Sequence, residues 1–484
     1  MALIRPDGTP PAFGFPAMPE AVARIPRELA FTHDALPLNI VEGILVVALP
    51  DPDDADVLDI LRAATRLRVR ALPMEREAIR DQLRRAYGEA APLRRSTGRD
   101  APAVQALDQI FARAIAAHAS DVHLEPRSDG SGHVRMRVDG VLRPLESVSA
   151  ELFAAVSSRL KLIAGMNIAD RRQPQDGRCA IPFEQREIDA RISSVPTVDG
   201  EKLVVRLLDR YGAMPDLGRL GMPPAMLERY RAAARAPWGC IVVAGPTGSG
   251  KTTTLYASLA ELDVASRNVC SVEDPIEMRV AGVTQVQVNP RAGLTFPAVL
   301  RAFMRQDPNV VMVGEMRDRE TAAVAIAAAL AGQTVFTTLH ANDAPRTIER
   351  LAELGAARQA LAGALTAIVA QRLVRTLCER CRAREAVPQR VRATLDSAPE
   401  AWYVARGCRA CSGTGYVGRT GVYELIDVDD ATRDAIAGGA STVQLAHAAR
   451  AAGFRPLIAD GFAKVFGGIT SFDEIVRVVA WSAL

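Results

Sequence analysis

The second half of the chain is a regular alternation of short apolar runs and longer amphipathic segments. Cys240–Ala244, Val269–Val272, Val310–Val313 and Thr334–Thr338 read as buried strands, and Thr252–Leu262, Phe296–Arg305 and Glu320–Ala331 as helices between them. Strands alternating with helices predict a parallel sheet covered on both faces, an α/β fold. The preceding stretch has a different rhythm. His133 to Val138 alternates His/Arg/Arg with Val/Met/Val and runs into the hairpin signal Asp139-Gly140, and Glu187–Ser194 and Lys202–Leu208 read as further strands. Val104–His118 has helical spacing, so a β-rich middle domain over residues 103–212 is predicted. Pro215–Pro237 reads as a connector with its own helix, at the start of a domain over 213–484.

Near the start, Val41–Ala48 and Leu67–Leu72 read as strands and Ala55–Thr65 and Glu75–Tyr87 as helices, a small α/β module within residues 1–90. The residues before Leu29 carry repeated Pro and Gly and read as an extended or loosely packed lead-in. Residues 91–102 read as a linker from their Pro, Gly, Ser and mixed charge.

With 484 residues, length alone suggests roughly three domains of about 150 residues. The balance of 59 Lys+Arg against 56 Asp+Glu excludes a disordered polyanion and a strongly basic nucleic-acid coat. Seven cysteines are too few for a disulfide scaffold. The most apolar stretch, Thr321–Phe336, is alanine-rich and shorter than the ~20 apolar residues a membrane span requires. The proline-broken start lacks the apolar core of a secretory signal, so a reducing cytoplasm is the expected compartment.

The candidate chemistry centres on Gly245-Pro246-Thr247-Gly248-Ser249-Gly250-Lys251-Thr252, which follows an apolar strand and opens a helix. Glycines let successive N–H groups turn inward, and the helix N-terminus adds partial positive charge for a polyphosphate. Lys251 can reach the β- and γ-phosphates, and Thr252 can ligate Mg²⁺. A bare Gly-rich turn is the plain alternative. Acids are also needed to hold metal and orient water. Glu273-Asp274 and Glu315 each follow a predicted strand, where a parallel sheet opens its ligand crevice. Gly314 stands where many such enzymes place a metal-linked Asp. Asp274 can instead cap the Pro275 turn, Glu315 can serve as a helix cap or ion-pair partner, and His340 can be a packing residue. Cys378-x-x-Cys381 and Cys408-x-x-Cys411 suit a closed, structural zinc site. Cys179, Cys240 and Cys270 read as buried small hydrophobes.

Several motifs together resemble the secretion ATPases that power type II secretion and type IV pilus assembly: ASDVHLEP (119–126), RQPQDGR (172–178), the phosphate loop, VEDPIE (272–277), QDPNVVMVGEMRD (306–318), TTLHAND (337–343), the cysteine pairs, and TGYVGRTGVYE (414–424). The resemblance covers about residues 100–484, and length and N-terminal module are most similar to the type II secretion protein E subfamily. It implies a RecA-like P-loop domain preceded by a PAS-like α+β middle domain, with the zinc subdomain inserted at about 375–415. Gly245–Thr252, with Thr253 behind it, would be the Walker A element; Glu273 would lie in the Asp box, Glu315 would be the Walker B glutamate, and His340 would belong to the His box. By motif Arg191 and Arg206, and less closely Arg178, match the arginines this family sends to the γ-phosphate, although either can simply pair with an acid such as Asp189. Gln333 and Ala341 depart from the family pattern, at positions without an inferred catalytic group.

The function so implied is a cytoplasmic ATP hydrolase using Mg²⁺, a homo-hexamer at the cytoplasmic face of the inner membrane. It would bind platform proteins through its N-terminal module and drive pseudopilus assembly. A type IV pilus assembly ATPase is the alternative. A nucleic-acid translocase on the same core is disfavoured by 5% aromatic residues and dispersed arginines, and a non-hydrolysing scaffold would lack the motif acids.

Overall fold

The computed structural model describes residues 18–87, 101–183, 186–208, 214–393 and 398–479, apart from Ala23, Pro26, Glu42 and Arg66. The chain divides into two compact units, Met1–Gln105 and Ala106–Leu484. In the first, β1 (Leu36–Val41) and β2 (Ile44–Leu49) pair antiparallel, and β3 (Arg68–Pro73) joins β2 in parallel. The single strand predicted over 41–48 is therefore two strands with a turn inside, because Gly43 adopts φ +77° and reverses the chain. The described end of the lead-in, from Met18 onward, is helical where an extended segment is predicted. Helices Pro19–Val22 and Arg27–Thr32 bury Ala21 and Ala30 against β1 and its neighbours. Most of the predicted linker, residues 91–100, lies outside the described residues, and its last two positions, Ala101 and Pro102, open a helix that runs to Ala116.

Among the described residues the second unit holds two large sheets and a two-stranded hairpin. The middle sheet is antiparallel throughout, built from β4 (Asp121–Pro126), β5 (Gly132–Val138), β6 (Val141–Val148), β7 (Gln175–Phe183), β8 (Arg186–Thr197) and β9 (Gly200–Leu208) in the order β6-β5-β4-β9-β8-β7. Alternation puts Val122, Leu124, Val134, Ala190, Ile192, Leu203 and Val205 inside, each 1% exposed or less. The intervening residues are left for a polar face. The predicted boundary near residue 212 falls outside the described residues.

The larger sheet contains β10 (Gly239–Ala244), β11 (Val269–Glu273), β12 (Val283–Gln287), β13 (Val310–Val313), β14 (Thr334–Leu339), β15 (Leu365–Leu377) and, beyond a small hairpin of β16 (Ala383–Ala386) and β17 (Ala401–Val404), β18 (Tyr416–Asp427). Its order is β12-β11-β13-β14-β10-β15-β18, parallel except for β18. Every residue of β10, β13 and β14 is buried, as continuous apolar runs in a two-sided sheet require. The long β15–β18 pair was not anticipated. Its strands are separated in sequence by the cysteine region, so no turn signal links them.

This order brings the carboxyl ends of β10, β11, β13 and β14 to one edge, where the phosphate loop, Glu273, Glu315 and His340 lie. The middle sheet meets that edge through its β5–β6 turn: Asp139 accepts from the Gly418 N–H at 3.2 Å and ion-pairs with Arg419 at 3.5 Å.

Candidate active site

The phosphate loop is glycine-dependent at two points. Gly245 sits at φ +156°, and a Cβ there would come 2.6 Å from the Gln371 carbonyl oxygen. Gly250, at φ +87°, caps the helix Lys251–Ala260, and its Cβ would come 2.7 Å from Gln371 Nε2. Gln371 also accepts the Thr254 hydroxyl at 2.7 Å, so β15 braces the loop from beneath. Lys251 donates to the carbonyl oxygens of Gly245 and Pro246, both at 2.9 Å. Burial lowers its ammonium to about 8, against the opposing pull of Glu315. The Ser249 hydroxyl is buried and has no hydrogen-bond partner among the described residues, an open polar position on a loop suited to phosphate oxygens.

The loop forms one wall of a cavity of about 740 Å³ that is also lined by Thr252, Thr253, Glu273, Asp274, Glu315 and His340. This size suits a nucleotide. Thr252 and the Asp274 and Glu315 carboxylates are hard oxygen donors of the kind Mg²⁺ takes, so the donor set fits that ion.

The two principal acids have different surroundings. Glu273 is 2% exposed and its carboxylate accepts from Tyr256, from Ser271 at 2.6 Å and from Gln285 at 3.1 Å. Tyr256 in turn accepts the N–H groups of Glu277 and Met278 at 3.0 and 3.2 Å, tying the helix after the phosphate loop to the segment beyond the cis Asp274–Pro275 bond. Glu315 is held by Arg317 and lies 4.0 Å from His340 Nε2. Burial, with the positive charge of Lys251, pushes the His340 imidazole below its usual value despite Glu315, so near neutrality it is uncharged. Such a histidine can donate or accept a hydrogen bond beside Glu315 without cancelling its charge.

The middle sheet brings an arginine row to this site. Cross-strand register aligns Arg137, Asp121, Arg206, Arg191 and Arg178 on β5, β4, β9, β8 and β7, all on the same face. Arg206 lines the phosphate-loop cavity; Arg191 and Arg178 line an adjoining cavity of about 420 Å³ that shares Arg206 and Asp121. Glu277 links the two regions. Burial and Glu273 raise its carboxyl, while Arg191 and Arg206 act in the opposite sense.

Sequence reading missed several contributors. Tyr256, Gln285 and Gln371 carry no motif, and only the fold brings them to the site. Glu424 closes the TGYVGRTGVYE motif, which by itself assigns it no role: 2% exposed, it accepts the N–H of Ala344 at 2.5 Å and of Leu457 at 2.7 Å, joining the helix after His340 to a C-terminal helix. Arg372 holds the Asn342 carbonyl at 2.8 Å in the same loop. Of the three cysteines outside the pairs, Cys240 and Cys270 are buried as expected, but Cys179 is only partly so because β7 is an edge strand.

The four paired cysteines converge beyond the paired ends of β15 and β18. Their sulfurs all lie within 4.8 Å of one another, with Cys378–Cys408 at 3.9 Å and both Cys381–Cys411 and Cys408–Cys411 at 3.8 Å. A tetrahedron with metal–sulfur bonds of about 2.3 Å has edges of about 3.8 Å, so the donor set fits Zn²⁺. The Cys408 and Gly415 N–H groups each donate to the Cys411 sulfur at 3.1 Å, an arrangement that favours a thiolate.

A phosphate-binding loop on a parallel sheet, with acids at adjacent strand ends and arginines from a neighbouring domain, defines a P-loop ATPase with a RecA-like core. The chain belongs to the Type II/IV secretion system protein family, whose model matches residues 96–477, and an MshEN domain model matches residues 12–93. It is 39% identical to the protein transport protein HofB homolog of Escherichia coli over 93% of this chain and 97% of that one. Type II secretion system protein HxcR of Pseudomonas aeruginosa is 44% identical over 78% of this chain and 77% of its own. The type IV pilus assembly ATPase PilB of Myxococcus xanthus is 36% identical over 96% and 87%. Among solved structures, the Legionella pneumophila ATPase DotB shares the fold, with a TM-score of 0.57 and 21% identity over 76% of this chain and 94% of that one.

Proposed function

We propose that the protein is a motor ATPase that hydrolyses ATP to drive pseudopilus assembly and protein export by type II secretion. The observation that carries the hydrolytic reading is the meeting of Lys251, Glu315 and Arg206 around one cavity. Lys251 and the loop N–H groups hold the β- and γ-phosphates, and Thr252 with Asp274 supports Mg²⁺, which offsets the charge on the transferring phosphoryl group. Glu315 orients the attacking water and His340 hydrogen-bonds beside it. Glu273, whose carboxylate already accepts from three donors, sets the geometry of the Asp box. Arg206, with Arg191 and Arg178 behind it, draws the middle domain onto the nucleotide, and phosphate loss releases it.

The secretion reading rests on relatives named for type II secretion. On it the working form is a homo-hexamer at the cytoplasmic face of the inner membrane, with residues 1–90 docking on platform proteins. The four-cysteine site holds structural zinc. Among the described residues no helix is long and apolar enough to cross a membrane; on this reading attachment is peripheral, through partners. A second reading, type IV pilus assembly, is favoured by the match to PilB, which extends over nearly the whole chain.

The test is complementation. A strain deleted for this gene is given the parent, Lys251→Ala or Glu315→Gln, and its exported proteins and surface pili are both assayed. Restored export by the parent alone supports the first reading and restored piliation the second; hydrolysis by either variant at the parental rate would end both.

A further inference from the structure

Asp121 belongs to a motif that the phosphate chemistry leaves unexplained. It is 8% exposed and stands in the middle of the arginine row, opposite Arg206 on one side and Arg137 on the other. One carboxylate oxygen accepts Arg206 Nε at 3.1 Å; the other lies 3.5 Å from Arg137 Nε and accepts the Ser120 hydroxyl at 2.8 Å. Arg137 also donates through Nη1 to the Gly140 carbonyl at 3.0 Å. Asp121, Arg137 and Arg206 all line the phosphate-loop cavity.

Two guanidinium groups this close repel each other unless an anion lies between them, and Asp121 supplies it. The mode of contact matters more than the charge. Asp121 engages Arg206 through Nε, and among the described residues no bond joins a terminal nitrogen to that carboxylate, which leaves those nitrogens to face phosphate oxygens. The Arg206 side chain is 61% exposed and would otherwise sample many rotamers, an entropy that phosphate binding would have to overcome.

We propose that Asp121 is a positioning residue that presents Arg206 and Arg137 as a two-arginine fork to the terminal phosphate of a nucleoside triphosphate. The inference rests on the reading of Arg206 as a phosphate contact. It adds Arg137 to that set and gives the protein a means of telling triphosphate from diphosphate.

Simple screening by Asp121 predicts the opposite sign. If the carboxylate merely offset positive charge, neutralising it would tighten triphosphate binding. Positioning requires that binding weaken.

The experiment measures binding of a non-hydrolysable ATP analogue and of ADP, each with Mg²⁺, to the full chain by calorimetry. Asp121→Asn should weaken the analogue about tenfold and ADP by less than about twofold, the loss of one oriented charge-assisted hydrogen bond. Analogue binding that is unchanged or tighter, or a loss shared equally by ADP, would overturn the proposal. Arg137→Gln gives an independent reading should Asp121→Asn fail to fold. It should lower the analogue-to-ADP preference about threefold or more, and an intact preference would overturn the proposal as well. Arg206→Ala separates the two levels. If it keeps the triphosphate preference, the phosphate reading of Arg206 is itself wrong; if it loses that preference while Asp121→Asn keeps it, only the present inference fails.

Discussion

Tyr256 donates its hydroxyl to the buried carboxylate of Glu273, joining the helix that opens at Lys251 to the strand end that carries the acid. The same oxygen accepts two backbone N–H groups from Glu277 and Met278, so a single phenol organises three segments. Tyr256→Phe leaves those groups short of a partner, at a cost of about 1–3 kcal/mol. The expected result is a fall in kcat of about tenfold with nucleotide affinity little changed, checked by steady-state kinetics beside a binding titration. A kcat equal to the parent's would refute the structural importance given to this bond.

Lys251 and Glu315 should separate binding from chemistry. Lys251→Ala removes the cation proposed to meet the phosphates and should weaken ATP binding by at least tenfold. Glu315→Gln keeps the shape of the site but loses the charge proposed to orient water, so ATP should still bind while turnover drops by about 10² or more. Fluorescent-nucleotide titration and phosphate release distinguish the two, and the assignment fails if Glu315→Gln loses binding and turnover together.

Glu424 should leave a signature in the pH dependence of stability. Burial raises its carboxyl to about 7, although two backbone N–H groups favour the ionised form. An unfolded glutamate titrates near 4.3, so between about pH 4.5 and 7 the folded protein holds a proton that the unfolded chain does not. Stability from this group is therefore full below that window and is lost as pH rises through it, by at most about 1.4 kcal/mol per unit. Glu424→Gln cannot titrate. The parent's advantage over the variant should shrink from pH 5 to pH 7 in urea unfolding, and a constant gap would disprove the assignment.

The cysteine cluster predicts bound metal. Purified protein should contain about one zinc per chain, and a strong chelator should lower its melting midpoint by roughly 5–10 °C, as the loss of a few kcal/mol would. Cys408→Ser should reproduce the effect without chelator. Metal-free protein with unaltered melting would remove zinc from the account.

What was legible in the sequence was what lies close together in it. The phosphate loop, the strand-end acids and the cysteine pairs are each set by spacing over a few residues, and the parallel core announces itself in uninterrupted apolar runs such as Ile241–Ala244. Tyr256, Gln371 and Glu424 act across the sheet, at separations where no local pattern connects donor to acceptor. Arg206 was found by motif, but its alignment with Asp121 and Arg137 depends on strand register, which is fixed by pairing and not by composition. Glu273 was legible as an acid and not as a hydrogen-bonded one, because two of its three donors, Tyr256 and Gln285, arrive from other segments.

Lys251 donates to two carbonyl oxygens of its own loop. Its ammonium is therefore satisfied from within the loop, and a phosphate that binds there exchanges one set of acceptors for another. A seat held together in this way keeps its shape by its own bonds and need not be rebuilt around what it receives.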